Sequence, residues 1–139
     1  MNIEEMTSLE LAEVTRLKDL FFKKNNLSDN NDALSCIKDK VDVLKNSSLS
    51  DDAVIDNCFQ IGSAYGILIQ DYFGWNWSKI KTANQFAYAI CSPDLSYGIQ
   101  VYYYFNLLLT TDKVNNVVLL FNMISELQKT GDKSITFLV

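Results

Sequence analysis

The chain contains no histidine, one arginine (Arg16) and one proline (Pro93). Without an imidazole it lacks the commonest general base, the commonest zinc ligand, and the Ser-His-Asp and Cys-His nucleophile arrangements. With a single guanidinium, clamps for phosphate or carboxylate are poorly supplied. Cysteine is sparse as well. Cys36, Cys58 and Cys91 form an odd, widely spaced set without a Cys-x-x-Cys pair, which argues against a disulfide framework or a zinc site. Their apolar flanks (Ile37, Phe59, Ile90) read as buried free thiols.

Long hydrophobic runs are also missing. The longest, Val101 to Leu109, is broken by Asn106 and falls short of the ~18 apolar residues of a membrane span. The first residues, Met1 to Met6, carry two glutamates and no apolar core, unlike a signal peptide. A soluble, cytoplasmic protein without a membrane partner is the expectation.

At 139 residues the chain has the size of one domain, and no linker or repeat divides it, so a single domain over 1–139 is expected. Its hydrophobic content of 48% suits a packed core that needs no metal or disulfide staple. The net charge is −5, and the lysines are scattered rather than gathered into a basic stripe. Nucleic-acid binders draw most of their affinity from phosphate neutralisation, so a nucleic-acid partner is disfavoured. An acidic surface instead suits a basic protein partner drawn in by the field.

Periodicity gives the elements. Thr7-Ser8-Leu9-Glu10 is a capping box opening a helix through Val14, Leu17, Leu20 and Phe21. Residues before Thr7 extend this helix or fray. A second helix after Ser28–Asp32 carries Leu34, Ile37, Val41 and Leu44 on one stripe. The Asp/Asn cluster before it lacks the glycine and glutamate of a calcium loop. A third helix starts at Ser50, lines up Val54, Cys58, Ile61, Tyr65, Leu68 and Tyr72, and stops at Gly74. Gly62 and Gly66 inside it cost roughly 1 kcal/mol each against alanine, which implies that something packs very close to them.

After Gly74 the period becomes two. Trp75 and Trp77 share one strand face, Thr82–Asn84 forms a turn, and Phe86, Tyr88 and Ile90 alternate with Ala87, Ala89 and Cys91. Ser92-Pro93-Asp94 makes the next turn and a third strand runs through Tyr97, Ile99 and Val101. A short helix over 102–109 follows. Another is capped at Thr111 or Asp112, with Val114, Val117, Phe121, Ile124 and Leu127 on one face and Gly131 at its end. Ser134 to Val139 reads as a last strand. The expected fold is α+β: N-terminal helices, a central antiparallel sheet of three to four strands, and a C-terminal helix.

Carboxylates are the only catalytic option left. Among Asp51, Asp52, Asp56, Asp71 and Asp94, the i, i+4 pair Asp52/Asp56 reads as helix-start electrostatics rather than an acid–base pair. No catalytic residue, cofactor or metal is expected, and the protein reads as a binder rather than an enzyme. Three consecutive tyrosines, Tyr102, Tyr103 and Tyr104, cannot all point inward on one element, so this segment is a candidate contact surface. The acidic positions Glu4, Glu5, Glu10, Glu13, Asp29, Asp32, Asp51, Asp52 and Asp56 fall in the N-terminal half. Of these, Glu10, Glu13, Asp51, Asp52 and Asp56 join the three tyrosines as candidate partner-binding residues. The alternative is a small-ligand or regulatory module with its pocket between the Trp75/Trp77 strand and the helices.

Four motifs carry a resemblance: Phe59-Gln60-Ile61-Gly62 to Gly66, Gly74-Trp75-Asn76-Trp77, Ser92-Pro93-Asp94, and Asn116 to Asn122. Together they resemble small acidic bacterial domains in which a glycine-bearing helix precedes a Gly-Trp-x-Trp strand. The resemblance spans Phe59 to Met123. Some of those domains sit beside secreted toxin genes, which implies an immunity protein that neutralises a cognate toxin by direct binding. No functional residue carries over from it, and the oligomeric state stays open.

Overall fold

In the first helix, α1 (Ser8–Lys24), both halves of the capping box are formed. Glu10 N donates to Thr7 Oγ1 at 3.2 Å, and Thr7 N donates to Glu10 Oε1 at 3.0 Å. The computed structural model that shows this describes residues 2–127 and 135–139. Helix α2 (Ala33–Lys45) buries Ala33, Ile37, Val41 and Leu44. Helix α3 (Asp51–Phe73) is the longest element, with Ser50 accepting from Ala53 N at its start. It ends at Gly74, whose φ of 70° lies in the left-handed region open to glycine. Tyr72, expected on the apolar face of α3, is instead 55% exposed.

The hairpin β2 (Asn76–Thr82) and β3 (Gln85–Cys91) forms the centre of the sheet, with Trp77 opposite Ile90 and Lys79 opposite Tyr88. Strand β1 (Asn2–Glu5) adds antiparallel to β2, and β4 (Tyr97–Ile99) adds antiparallel to β3. Strand β5 (Thr136–Phe137) runs parallel to β4. The fold is α+β, but its sheet is mixed and five-stranded, in the order β1-β2-β3-β4-β5, rather than antiparallel with three to four strands.

Both differences have physical causes. β1 has only one apolar residue, Ile3, set opposite Ile80; its Glu4 pairs with Lys81 at 3.1 Å. So short a segment shows no alternation to read. β5 returns to β4 only after the chain has passed through helices α4 (Val101–Thr110) and α5 (Val117–Met123), and such a crossover permits parallel pairing.

Val101, expected in the third strand, is the first residue of α4, where Tyr104 N bonds back to Gln100 O at 2.9 Å. Neither Thr111 nor Asp112 caps α5, which begins at Val117. The link between the helices is pinned to α2 instead. Lys45 Nζ donates to the carbonyls of Leu108, Thr111 and Lys113, and Asn115 Nδ2 donates to Lys38 O and Asp42 Oδ1. Val114 is consequently 78% exposed. A 3-10 turn (Ile124–Glu126) closes this part of the chain, and Gly131, expected to end the helix, lies outside the described residues.

The core lies between the helices and the sheet face bearing Trp77, Ile90 and Ile99. Tyr65, Tyr104, Phe105, Ile61, Leu68 and Leu108 are fully buried in it. Their hydroxyls are satisfied there: Tyr65 donates to Val117 O at 2.8 Å, and Tyr104 to Asn116 Oδ1 at 2.6 Å. The opposite sheet face carries a smaller cluster of Ile80, Ala89 and Cys91 with Ile3, Ile135 and Phe137.

Candidate functional site

The glycines of α3 explain where the aromatic residues go. A Cβ on Gly66 would lie 2.3 Å from Trp77 Cζ2, and one on Gly62 would lie 2.6 Å from Tyr102 Cδ1. Each glycine therefore seats a ring. The two rings stack on each other, 6.2 Å apart and 23° from parallel, and the Tyr102 hydroxyl shares a 2.7 Å hydrogen bond with Ser63. Burial, opposed by that bond, pushes the Tyr102 phenol up to about 12. Trp77 is thus packed onto the helix. Its Nε1 is buried without a hydrogen-bond partner among the described residues. Trp75 borders a hollow of about 320 Å³ at the far side, with Pro93, Asp94, Tyr97 and Ile124.

A concavity lies on the other flank of α3, against α1. It is a groove of about 500 Å³. Helical spacing puts Glu10, Glu13, Leu17 and Leu20 of α1 along one wall, and Asp56, Phe59 and Gln60 of α3 along the other. Tyr88 of β3 and Tyr102 of α4 form its aromatic end. The rings are mutually braced: Phe59 meets Tyr102 edge-on at 5.2 Å, and Tyr88 meets Tyr102 at 6.5 Å and 88°.

The three carboxylates of the groove differ in how far they are already engaged. Glu10 accepts from Thr7 N, from the Tyr88 hydroxyl, and from Lys79 Nζ at 3.0 Å. The Tyr88 bond first, then the Thr7 and Lys79 contacts, hold its carboxyl down to about 2. Burial first, then the bond to Glu10, pushes the Tyr88 phenol up to about 12. Glu10 therefore fastens α1 to the sheet. Glu13 receives the Arg16 guanidinium as a fork, at 2.9 Å from Nε and 2.5 Å from Nη2, which lowers its carboxyl and raises the guanidinium. Asp56 is exposed and has no hydrogen bond or ion pair among the described residues.

Of the residues singled out from sequence, Glu10, Glu13, Asp56 and Tyr102 converge on this groove. Asp51 and Asp52 stand exposed at the start of α3 and do not line it. Tyr103 is 54% exposed and faces solvent, also away from the groove. Tyr104 is a correction: it is fully buried and serves the core, because α4 places it one residue beyond the exposed position.

Arg16, Phe59, Gln60 and Tyr88 also line the groove, beyond the residues expected from sequence. Phe59 and Gln60 follow Asp56 by three and four residues, so a shared helix face was the available signal. Tyr88 had none, since its place depends on how the hairpin meets α1.

Burial pushes all three thiols up, that of Cys58 to about 11, which keeps them protonated and unreactive near neutrality. Among the described residues there is no group of three or more His, Cys, Asp or Glu able to hold a metal ion, and no helix long and apolar enough to cross a membrane. Comparison with protein-family models, curated proteins and solved structures found no match for this chain.

Proposed function

We propose that the protein is a non-catalytic binder of a basic protein partner, acting in the cytoplasm, and in its concrete form an immunity protein that neutralises a cognate toxin. The observation that carries this reading is the groove. It joins the exposed Phe59 ring and the half-buried Tyr88, Tyr102, Leu17 and Leu20 to three carboxylates, with Arg16 the one cation among its lining residues and Lys79 and Lys24 bonded at its edge to Glu10 and Gln60. Aromatic anchors ringed by charge are what concentrates affinity in protein interfaces. The net charge of −5 adds steering toward a positive partner, and none of this requires a catalytic group.

The test is capture by the tagged chain from lysate of its own host, at low and physiological salt, with a Glu13→Gln/Asp56→Asn variant beside it. One stoichiometric, basic partner is expected, held more tightly at low salt and lost by the variant. No retained protein, or retention indifferent to the variant, overturns the reading. A second reading, a small-ligand module, draws support from the groove's volume of about 500 Å³, which lies in the range of ligand pockets. A thermal-shift screen that yields a ligand whose effect Phe59→Ala abolishes would favour it.

A further inference from the structure

The groove already holds a guanidinium, and it is the chain's own. Arg16 lines the groove and forks onto Glu13 through both Nε and Nη2, the planar two-point geometry that distinguishes arginine from lysine. On the α3 wall of the same groove Asp56 stands without a hydrogen bond or ion pair among the described residues, one helical turn before Phe59, whose ring is 43% exposed. Phe59 is held by its edge-on contact with Tyr102, and Tyr102 by Gly62 and Ser63. A rigid, partly exposed ring next to an unpaired carboxylate suits a delocalised cation that can stack and donate at once.

We propose that the groove is the seat of an arginine side chain from a basic protein partner, stacked on Phe59 and forked between Asp56 and Glu13, with Arg16 as its internal competitor. This deepens the binding function proposed above and rests on it for the identity of the arginine's owner. Charge complementarity selects the occupant. The groove's titratable groups are Glu10, Glu13, Asp56, Arg16 and the phenols of Tyr88 and Tyr102; Glu10 is neutralised by Lys79, and Glu13 by Arg16. Lys24 donates to Gln60 Oε1 at 3.2 Å at the groove's edge, and Asp56 is the carboxylate left without an ion pair among the described residues. An anionic occupant would meet this carboxylate, and a purely apolar one would desolvate it without return.

The competitor gives the proposal its sharpest consequence. Removing Arg16 frees Glu13 and should tighten the seat, whereas a merely structural Arg16, or one that contacts an anionic partner, would give no change or the opposite.

The experiment uses the full chain and N-acetyl-arginine amide as probe, followed by NMR shifts at Asp56, Phe59 and Tyr102. N-acetyl-citrulline amide, of the same shape without the charge, and N-acetyl-lysine amide are the controls. Saturable shifts confined to the groove are expected, about tenfold weaker for citrulline. Asp56→Asn should weaken the arginine probe about two- to fivefold, as loss of an exposed ion pair does. Arg16→Gln should tighten it by a similar factor.

Equal binding of arginine and citrulline, lysine preferred over arginine, or weaker binding by Arg16→Gln overturns the proposal. So does a dimer in sedimentation that Asp56→Asn dissociates, because the occupant is then a second copy. The two readings fail separately. A captured partner with no arginine site removes this proposal and leaves the binding function. An arginine site with no captured partner removes the protein partner and leaves a guanidinium site.

Discussion

The two flanks of α3 both meet aromatic rings, but to opposite ends. Toward β2 and α4 the helix presents Gly62 and Gly66, and the rings of Tyr102 and Trp77 fill the space completely. Toward α1 it presents Asp56, Phe59 and Gln60, and about 500 Å³ is left open. Small residues on one side bring large rings in; on the other side the Phe59 ring stands 43% exposed beside an open groove. Tyr102 belongs to both flanks, with one edge against Gly62 and the other in the groove. The closed flank fixes the position of the open one, and that is a reason for a mid-helix pair of glycines to be worth its cost in helix propensity.

The largest expected effect comes from closing the space under Trp77. In Gly66→Ala the new methyl meets the indole at 2.3 Å, and a ring only 5% exposed has little room to retreat. Overpacking of this kind costs about 1–3 kcal/mol and outweighs the gain of about 1 kcal/mol in helix propensity. Urea unfolding should show a net loss, and Trp77→Leu in the same chain should recover part of it. Gly62→Ala should cost less, since its new methyl meets the half-buried Tyr102 ring at 2.6 Å and 3.0 Å, whereas that of Gly66→Ala meets the indole at 2.3 Å and 2.4 Å. If both alanines are equally tolerated, the two flanks do not differ as described.

The same contrast marks what was legible beforehand. The glycine pair announced a close approach, and the capping box, the Gly74 stop and the Ser92–Asp94 turn are local signals whose chemistry sits within a few residues. These survived folding unchanged. What could not be read was set by distant partners. The start of α5 moved to Val117 because Lys45 and Asn115 hold the preceding link against α2, more than sixty residues away in sequence.

β1 exists because β2 offers an edge, not because Asn2–Glu5 has strand character of its own. Glu10, Glu13 and Asp56 of the groove's wall were visible as acidic positions and Tyr102 as part of the tyrosine run, whereas the meeting of Tyr88 with Tyr102 required the hairpin and α4 to be placed in three dimensions.

The tyrosines of α4 sharpen the comparison at the next level of effect. Tyr104 is fully buried on the closed side with its hydroxyl on Asn116, so Tyr104→Phe leaves the half-buried Asn116 amide oxygen without that donor and should cost about 1 kcal/mol. Tyr103→Phe, at an exposed position, should be indistinguishable from wild type within about 0.5 kcal/mol. Equal costs in denaturant titration would mean that Tyr104 has a route to solvent that its burial denies.

Glu10 offers a smaller effect with a pH signature. Its carboxyl is held from 4.5 down to about 2, so its contribution to folding is complete above about pH 4.5 and is lost as pH falls toward 2. Glu10→Gln keeps a side chain able to cap Thr7 but removes the charge that Lys79 meets, at a cost of about 1 kcal/mol near neutrality. Wild type should therefore lose more stability than the variant between pH 5 and pH 2, with the two curves converging at the acid end. Tyr88 works in the other direction. Its phenol is raised from 10 to about 12, so that stabilisation is complete below pH 10 and fades as pH rises through 12. Parallel curves for wild type and variant in acid would show that Glu10 does not fasten α1 to the sheet.

The smallest effect on folding is expected where binding is expected to change most. Asp56 is exposed and makes no hydrogen bond or ion pair among the described residues, so Asp56→Asn should shift Tm by less than about 2 °C. An unpaired carboxylate on a groove wall that contributes nothing to the fold is free to be spent on a ligand, and neutralising it should show up in capture of a basic partner and in its salt dependence. A variant of normal stability with weakened, less salt-sensitive capture assigns Asp56 to the open flank's function. A clear drop in Tm instead makes Asp56 part of the scaffold, and the difference between the two flanks of α3 is then one of packing alone.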